Sequence, residues 1–101
     1  MTTDELIDAI KQWGRDKQID NPYRQLNKVT EELGELASEV CRDHFDTPEF
    51  RDSIGDVLVT IILLADMKGH DPIGCLSEAF AEISSRKGHT SEGMFIKEAS
   101  A

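Results

Sequence analysis

The sequence has few of the residues that mark extracellular, fibrous or membrane-bound proteins. Of its 101 residues, two are cysteine, three are proline and seven are glycine. Cys41 and Cys75 lie far apart in the sequence and form no Cys-x-x-Cys pair. We therefore expect reduced thiols rather than a disulfide framework. No apolar run reaches about 18 residues, and the first ten residues lack the basic and apolar regions of a signal peptide. We therefore expect a cytoplasmic protein.

Basic residues are also scarce, with 11 lysines and arginines against 20 acidic residues and a net charge of -9. This balance argues against binding to a nucleic-acid polymer or to an anionic membrane, because both need a basic face. A polyanionic ligand would need cations. The length predicts a single domain over residues 1–101, with 88–101 as a polar tail. A chain of this size buries about two thirds of its unfolded surface, so we expect self-association to add stability.

Proline positions predict an all-α fold of four helices. Each proline follows a residue that can cap a helix: Asn21-Pro22, Thr47-Pro48 and Asp71-Pro72. Thr2 and Glu5 have the spacing of a capping box, which marks a fourth start. We predict helices over residues 3–17, 22–44, 48–68 and 72–87, and C-terminal caps at Gly69 and Gly88. No segment has the alternation of a half-buried strand, so none is predicted.

Two apolar segments suggest packing against other chains. The third predicted helix contains "VLVTIILLA", residues 57–65, which is apolar around most of its circumference. Such a helix must be covered on all sides, so we predict a homodimer or a pair of dimers that associates through it. In the tail, Met94, Phe95 and Ile96 form a short apolar cluster. This cluster either docks on its own chain or a neighbour, or belongs to a loose tail.

The second predicted helix carries four glutamates within "EELGELASEV", residues 31–40. Its apolar positions have the spacing of a core stripe: Leu26, Val29, Leu33, Leu36 and Val40. At about 100° per residue, Glu32 lies roughly 80° from the centre of that stripe. Glu35 and Glu39 lie a little further round the same side, and Glu31 lies further out. We therefore expect three of these carboxylates to border the core.

Asp56 on the third predicted helix is expected to lie where the bundle interior begins. It shares a helical face with two further acids and an apolar stretch: Glu49, Asp52, Val59, Leu63 and Met67. An ionised carboxylate is costly there, and Glu32 and Glu35 on a neighbouring helix would add repulsion. A divalent cation such as Mg²⁺, which prefers oxygen ligands, would remove this conflict. The alternative is an acidic surface that only increases solubility.

Two other metal patterns are weaker. Cys41 and His44 have a helical i, i+3 spacing suited to zinc, but no second pair completes a tetrahedron. His70-Asp71 is similar to the metal-binding pair of HD phosphohydrolases. However, Asp71 is explained as the cap before Pro72, and no companion histidines lie at useful positions.

The segments "KVTEELGELASEV" and "RDSIGDVLVTIILLADMKGHDP" resemble the MazG-like nucleoside triphosphate pyrophosphohydrolases of the all-α NTP-pyrophosphatase superfamily. The resemblance extends to "IKQWGRDKQI" and to "AFAEISSRKGHTSEGMFIKE", which is similar to the short single-domain forms of bacteria and phages. It implies a four-helix bundle whose second and third helices carry the acidic site. It also implies Mg²⁺-dependent cleavage of a (d)NTP between the α and β phosphates, with Mn²⁺ as a substitute, in the cytoplasm of the cell or of a phage host.

The family motif is EExxE on one helix and ExxD on the next. The resemblance implies that Glu32, Glu35 and Asp56 are metal ligands and that Glu31 orients or deprotonates the attacking water. Ser53 stands where the second motif has glutamate. Asp52, one residue earlier, points roughly the same way as Asp56 and is the candidate to replace that glutamate.

The substrate contacts are predicted less directly. Lys28 lies close to the motif, and Arg86, Lys87 and Lys97 in the last helix and tail are candidates to contact the outer phosphates, although such residues are also common at helix ends. Trp13 occupies the helix in which this superfamily places base-contacting residues, and its alternative role is in the core. A rival hypothesis is a non-catalytic helical module for oligomerisation or regulation, which the Ser53 departure favours.

Overall fold

The computed structural model describes residues 1–98 and shows four helices followed by a two-stranded hairpin. The elements are α1 (Thr3–Asp16), α2 (Pro22–Cys41), α3 (Pro48–Met67), α4 (Pro72–Ser84), β1 (Gly88–Ser91) and β2 (Met94–Lys97). A mostly helical fold with four helices is therefore confirmed. The prediction that no strand forms was wrong, and part of the predicted tail is the hairpin.

The helices begin where the capping residues predicted. Thr2 and Glu5 form a complete capping box before α1. The side chains of Asn21, Thr47 and Asp71 each accept a hydrogen bond from a backbone N–H in the first turn of the following helix. A proline follows each of these three caps, and its fixed φ suits the first helical position. Local chemistry thus sets all four starts.

All four helices end earlier than predicted, by one residue in α1 and α3 and by three residues in α2 and α4. α2 ends at Cys41 because Asp43 adopts a left-handed conformation with φ 57°. The N–H of His44 then donates to the carbonyl of Glu39 at 3.0 Å, which closes a Schellman motif. Gly69 has φ 78° after α3, as predicted for a C-terminal cap.

Gly88 lies in a strand, so its predicted role as a helix cap was wrong. α4 ends at Ser84, and β1 pairs antiparallel with β2 across a turn in which Glu92 and Gly93 have φ 51° and 75°. Positive φ at both positions is the signature of a type I′ turn, which fits the twist of a hairpin. A Cβ on Gly88 would clash with the backbone carbonyl oxygen of Ile96 and would lie 2.6 Å from Phe95 Cζ, so the close approach of the paired strand requires glycine there.

The packing centres on α3. α2 packs antiparallel on it, and α1 packs on a second side. α4 packs on α3, and its capping residue Asp71 also pairs with Lys11 of α1. Within residues 1–98 the hairpin packs on no helix. The radius of gyration is 16.2 Å, against about 13 Å for a compact chain of this length. The arrangement is therefore open, and α4 and the hairpin extend away from the other helices.

The enclosed core is small. Ile62 and Leu63 of α3 are the buried hydrophobic residues among those described. Leu26, Leu33 and Val40 are 54%, 53% and 42% exposed, so the predicted core stripe of α2 is only partly covered by this chain. The accessible surface is 7896 Å², about 2,200 Å² more than the roughly 5,700 Å² typical of a monomer of this mass.

The exposed apolar residues of α2 and α3 lie on the side opposite the carboxylates. At about 100° per residue, Leu33 lies roughly 80° round α2 from Gln25, which faces α3, and Glu35 lies about as far round the other way. Because the helices are antiparallel, the apolar stripe of α3 falls on the same side as that of α2. We call this surface the apolar face: Leu26, Leu33, Val40, Ile54, Leu58 and Ile61.

In the part of the chain that the structure describes, no helix combines the length and the apolar character needed to cross a bilayer.

The close approach of α1 to α3 is testable at Gly14. A Cβ at Gly14 would lie 2.5 Å from Cδ2 of the buried Leu63, whereas a Cβ at Gly34 meets no atom within 4 Å. We expect Gly34→Ala to raise the free energy of unfolding by about 0.5–1 kcal/mol through helix propensity. We expect Gly14→Ala to lower it by about 1 kcal/mol, because overpacking exceeds that gain. Urea unfolding measures both, and stabilisation by Gly14→Ala would show that the α1–α3 packing is wrong.

Candidate metal centre

The acidic side of the α2–α3 pair contains a cavity of about 290 Å³. Helical spacing places side chains from both helices on its wall, since residues three or four apart share a face. Its lining residues are Glu35, Ser38, Glu39, Glu49, Asp52, Ser53 and Asp56. The structure thus brings together Glu35, Asp56 and Asp52 of the predicted ligands. Glu49 and the two serines were not predicted as site residues, although the spacing of Glu49 from Asp52 and Asp56 was visible in the sequence.

The predicted glutamates of α2 also form a cluster. Glu31, Glu32 and Glu35 each offer a carboxylate oxygen that lies within 4.8 Å of the others. Glu35 belongs both to this cluster and to the lining of the cavity, so it connects the two. Three carboxylates at this separation repel one another unless a proton or a cation lies between them.

Glu32 is the most constrained of these acids. Its side chain is 13% exposed, and its Oε2 is buried with no hydrogen-bond partner. Burial, followed by the negative charges of Glu35 and Asp56, raises the pKa of Glu32, while Lys28 acts in the opposite direction. An unpartnered buried oxygen carries a desolvation cost. A divalent cation at Oε2 would remove that cost, so the donor set fits Mg²⁺.

Asp56 is exposed, so its predicted position at the bundle interior was wrong. Its helix turn lies beyond the part of α3 that α1 covers, since α1 meets α3 near Val59 and Leu63. The acid that the fold partly encloses is Glu32 on α2. Sequence periodicity correctly identified the helical face on which each carboxylate lies. It did not identify which of these carboxylates neighbouring helices would shield from solvent.

Ser53 and Asp52 occupy the same wall but differ in exposure. Ser53 is 7% exposed, and Asp52 is exposed. The hydroxyl of Ser53 supplies no charge, so the carboxylate of Asp52 is the acid nearest in sequence that can complete the donor set. Its role as a ligand stays a prediction.

Lys28 lies on α2 about one helical turn before the acidic cluster. Its Nζ lies 3.4 Å from both carboxylate oxygens of Glu31 and 4.0 Å from Glu32 Oε1. The predicted contact with Glu32 is thus present, although the contact with Glu31 is shorter. The side chains of Lys28 and Glu31 are 53% and 56% exposed, so their ion pair contributes little to stability and both are free to contact a ligand.

The cations of the last helix and the tail are not brought to this cavity by their own chain. Arg86 pairs with Glu82 on α4 at 2.9 Å, and the carbonyl of Lys87 accepts from the N–H of Glu98 at the base of the hairpin. Lys97 is on β2, which contacts no helix among the described residues. Within one chain, therefore, Lys28 is the predicted phosphate-binding cation at the centre.

Trp13 lies beside the acidic region rather than in the core. It is 50% exposed and forms an apolar pocket with Ala9, Ile10 and Val59. Val59 is three residues from Asp56, which places the indole about one helical turn from that carboxylate along α3. The core alternative for Trp13 is therefore wrong for this chain, and contact with a ligand stays a prediction.

The weaker metal patterns have structural explanations. His44 Nδ1 lies 3.0 Å from Glu39 Oε2, and Cys41 is exposed with no such partner among the described residues. Asp71 caps α4, accepting from Gly74 N at 3.2 Å, and pairs with Lys11 at 3.3 Å.

Comparison with known proteins adds one relative and no function. The chain is 36% identical over 72 residues to a protein named "Uncharacterized 18.2 kDa protein in rep-hol intergenic region" of Haemophilus phage HP1 (strain HP1c1). The alignment covers 68% of this chain and 43% of the phage protein, so the chain spans less than half of that relative. No family model matches the chain. No solved structure matches it.

Glu32 should make the metal-free protein sensitive to pH. Because its folded-state pKa is raised above 4.5, the folded chain is favoured while Glu32 is protonated, and that contribution is lost as pH rises through the folded pKa. We expect Glu32→Gln to raise the Tm of the metal-free protein at pH 7 and to have little effect at pH 4. Thermal unfolding with EDTA measures this, with Glu31→Gln as the control. An equal effect of Glu32→Gln at both pH values would contradict the assignment.

Proposed function

We propose that the protein is a Mg²⁺-dependent nucleoside triphosphate pyrophosphohydrolase that converts a (d)NTP to a (d)NMP and pyrophosphate. The observation that carries the proposal is the buried, unpartnered Glu32 Oε2 within a cluster of carboxylates on α2 that faces Asp56 across the α2–α3 cavity. The resemblance of both helices to the MazG-like motifs supports the same reaction. The substrate class implies the cytoplasm, that of the host if a phage encodes the protein.

The proposed residues have distinct roles. Glu32, Glu35 and Asp56 would hold the metal, with Asp52 in place of the motif glutamate. A metal held there would neutralise charge on the phosphates and lower the pKa of the attacking water. Glu31, which is exposed at the edge of the cluster, accepts a proton from the water that attacks the α-phosphorus. The bond between that phosphorus and the oxygen bridging to the β-phosphate breaks, and pyrophosphate leaves.

Lys28 and Trp13 complete the proposed site from one chain. Lys28 Nζ is within 4.0 Å of Glu32, so it lies where phosphate oxygens would meet the metal ligands. A phosphate group would compete with Glu31 for this cation, since both offer anionic oxygens for charge-assisted hydrogen bonds to Nζ. The half-exposed indole of Trp13 offers an apolar surface for contact with the substrate.

We also propose that the protein forms a homodimer or a pair of dimers through the apolar face. Leu58 and Ile61 of α3 are 56% and 45% exposed, which supports the predicted association through that helix. The excess surface of about 2,200 Å² per chain is of the size that obligate homodimers bury. Because the apolar face lies opposite the carboxylates, association through it leaves the acidic cavity open. Arg86, Lys87 and Lys97 would then contact substrate only if a second copy supplies them.

The rival function is a non-catalytic helical module for oligomerisation or regulation. Ser53 at the position of the motif glutamate favours it, because the site then has one acid fewer than the motif. In that case the acidic side would only increase solubility, and the apolar face would be the functional surface.

Pyrophosphate release tests the choice between these functions. We expect the purified protein with Mg²⁺ to release pyrophosphate from at least one canonical or modified dNTP. Glu35→Gln and Asp56→Asn should each lower kcat by at least about 100-fold while the protein stays folded, because each removes a proposed ligand. Glu78→Gln, at an exposed position of α4, is a matched control that should keep full activity. A panel without pyrophosphate release in Mg²⁺ or Mn²⁺, or activity retained in both variants, would contradict the proposal.

Sedimentation tests the association. We expect the wild type to sediment at twice or four times the 11.3 kDa chain mass. Leu58→Glu places a charge on the apolar face and should reduce the assembly to monomers or lower its Tm, since a buried unpaired charge is costly. Leu6→Glu, at a 49% exposed position of α1 outside the apolar face, is the control and should leave the assembly intact. A monomeric wild type at micromolar concentration would exclude this interface.

A further inference from the structure

A second cavity lies next to the candidate metal centre, between the α1–α2 loop and the first half of α2. Its volume is about 470 Å³, and Asn21, Arg24, Gln25 and Lys28 are among its lining residues. Lys28 therefore borders both this cavity and the acidic cluster. The two spaces are adjacent along one face of α2.

Gln25 is the unusual residue of this cavity, because it is a polar side chain that is 6% exposed. Its Nε2 donates to the backbone carbonyl of Thr60 at 3.1 Å, which ties α2 to α3. A carbonyl oxygen can only accept a hydrogen bond, so this contact identifies the amide nitrogen of Gln25 as the atom that faces Thr60. Oε1 accepts no hydrogen bond from the described residues. It is also not one of the solvent-inaccessible side-chain oxygens that lack a hydrogen-bond partner. Oε1 is therefore an acceptor still open to a donor at the cavity wall.

The spacing from Gln25 to the metal centre suits a nucleotide. Gln25 and Glu32 are seven residues apart on the α3-facing side of α2, about two turns or roughly 10 Å along the helix axis. Lys28 lies between them, with its Nζ 4.0 Å from Glu32 Oε1. The order along the helix is thus a neutral acceptor, a cation and a carboxylate cluster, which corresponds to base, phosphate and metal-bound phosphate.

We propose that this cavity takes the nucleobase and that Gln25 Oε1 accepts a hydrogen bond from an exocyclic amino group. The inference rests on the proposed function and adds the substrate class, namely nucleotides whose base carries an amino group. Cytosine presents such a donor where uracil presents a carbonyl oxygen. With uracil, two acceptors would face each other and Oε1 would stay unpaired, and sites built to hydrogen-bond a substrate discriminate strongly against analogues that lack the group.

Binding of matched, uncleavable analogues tests the proposal without turnover. The probes are the α,β-imido analogues of dCTP and dUTP, titrated with Mg²⁺ into the full chain by calorimetry. We expect the wild type to bind the cytosine analogue at least tenfold more tightly. Gln25→Met keeps the side-chain size but removes both the acceptor and the N–H that donates to Thr60. Loss of the acceptor should weaken binding of the cytosine analogue and leave the Kd of the uracil analogue within about twofold, provided that the Tm is unchanged. Gln12→Met, on the surface of α1, is the control and should change neither Kd.

The outcomes separate this inference from the proposed function. Equal binding of both analogues by the wild type would overturn the role of Gln25, even if pyrophosphate is released from other nucleotides. An equal loss of both analogues in a Gln25→Met protein with an unchanged Tm would also overturn it, because it would show a positioning role through Thr60. If Gln25→Met does not fold, the wild-type ratio for the imido analogues of dGTP and dITP, which differ by one amino group, decides the question. Absence of binding together with absence of pyrophosphate release overturns both proposals.

Discussion

The packing of α2 against α3 is the contact on which the other features depend. It brings Glu32 and Glu35 of one helix towards Asp56 of the other, and it encloses Glu32 Oε2 without giving it a donor. The Gln25 amide, bonded to the carbonyl of Thr60, fixes the register of the two helices on the same seam. The charged and apolar residues are then sorted to opposite sides of one helix pair, so a single packing arrangement positions both the candidate centre and the candidate interface.

Local chemistry made much of this fold predictable. The four helix starts followed from capping residues and prolines, since these signals act within a few residues. The helical face of each carboxylate followed from periodicity. The end of α2 did not, because Asp43 adopts a left-handed conformation that glycine or asparagine usually marks. The hairpin was missed because its turn is Glu92-Gly93 rather than the more familiar Asn-Gly or Asp-Gly, and its strands are four residues each.

The features of the site that could not be predicted from the sequence are the exposures of side chains, because these depend on which other helices cover them. Periodicity placed Leu33 in a core stripe and Asp56 at the interior, yet both are exposed in this chain. Whether a helix edge is covered depends on where α1 and α4 pack, and one sequence contains no local signal for that. The same limit applies to Lys97, whose distance from the acidic cluster depends on the direction in which the hairpin extends.

The small enclosed core also links the folded population to the amount of protein. With Ile62 and Leu63 as the buried hydrophobic residues of the described chain, most apolar surface is covered only if a second copy covers it. Under the proposed association, folding and assembly are then one equilibrium governed by mass action. Dilution would unfold such a protein much as a denaturant does, and the amount of folded protein in a cell would rise more than proportionally with expression.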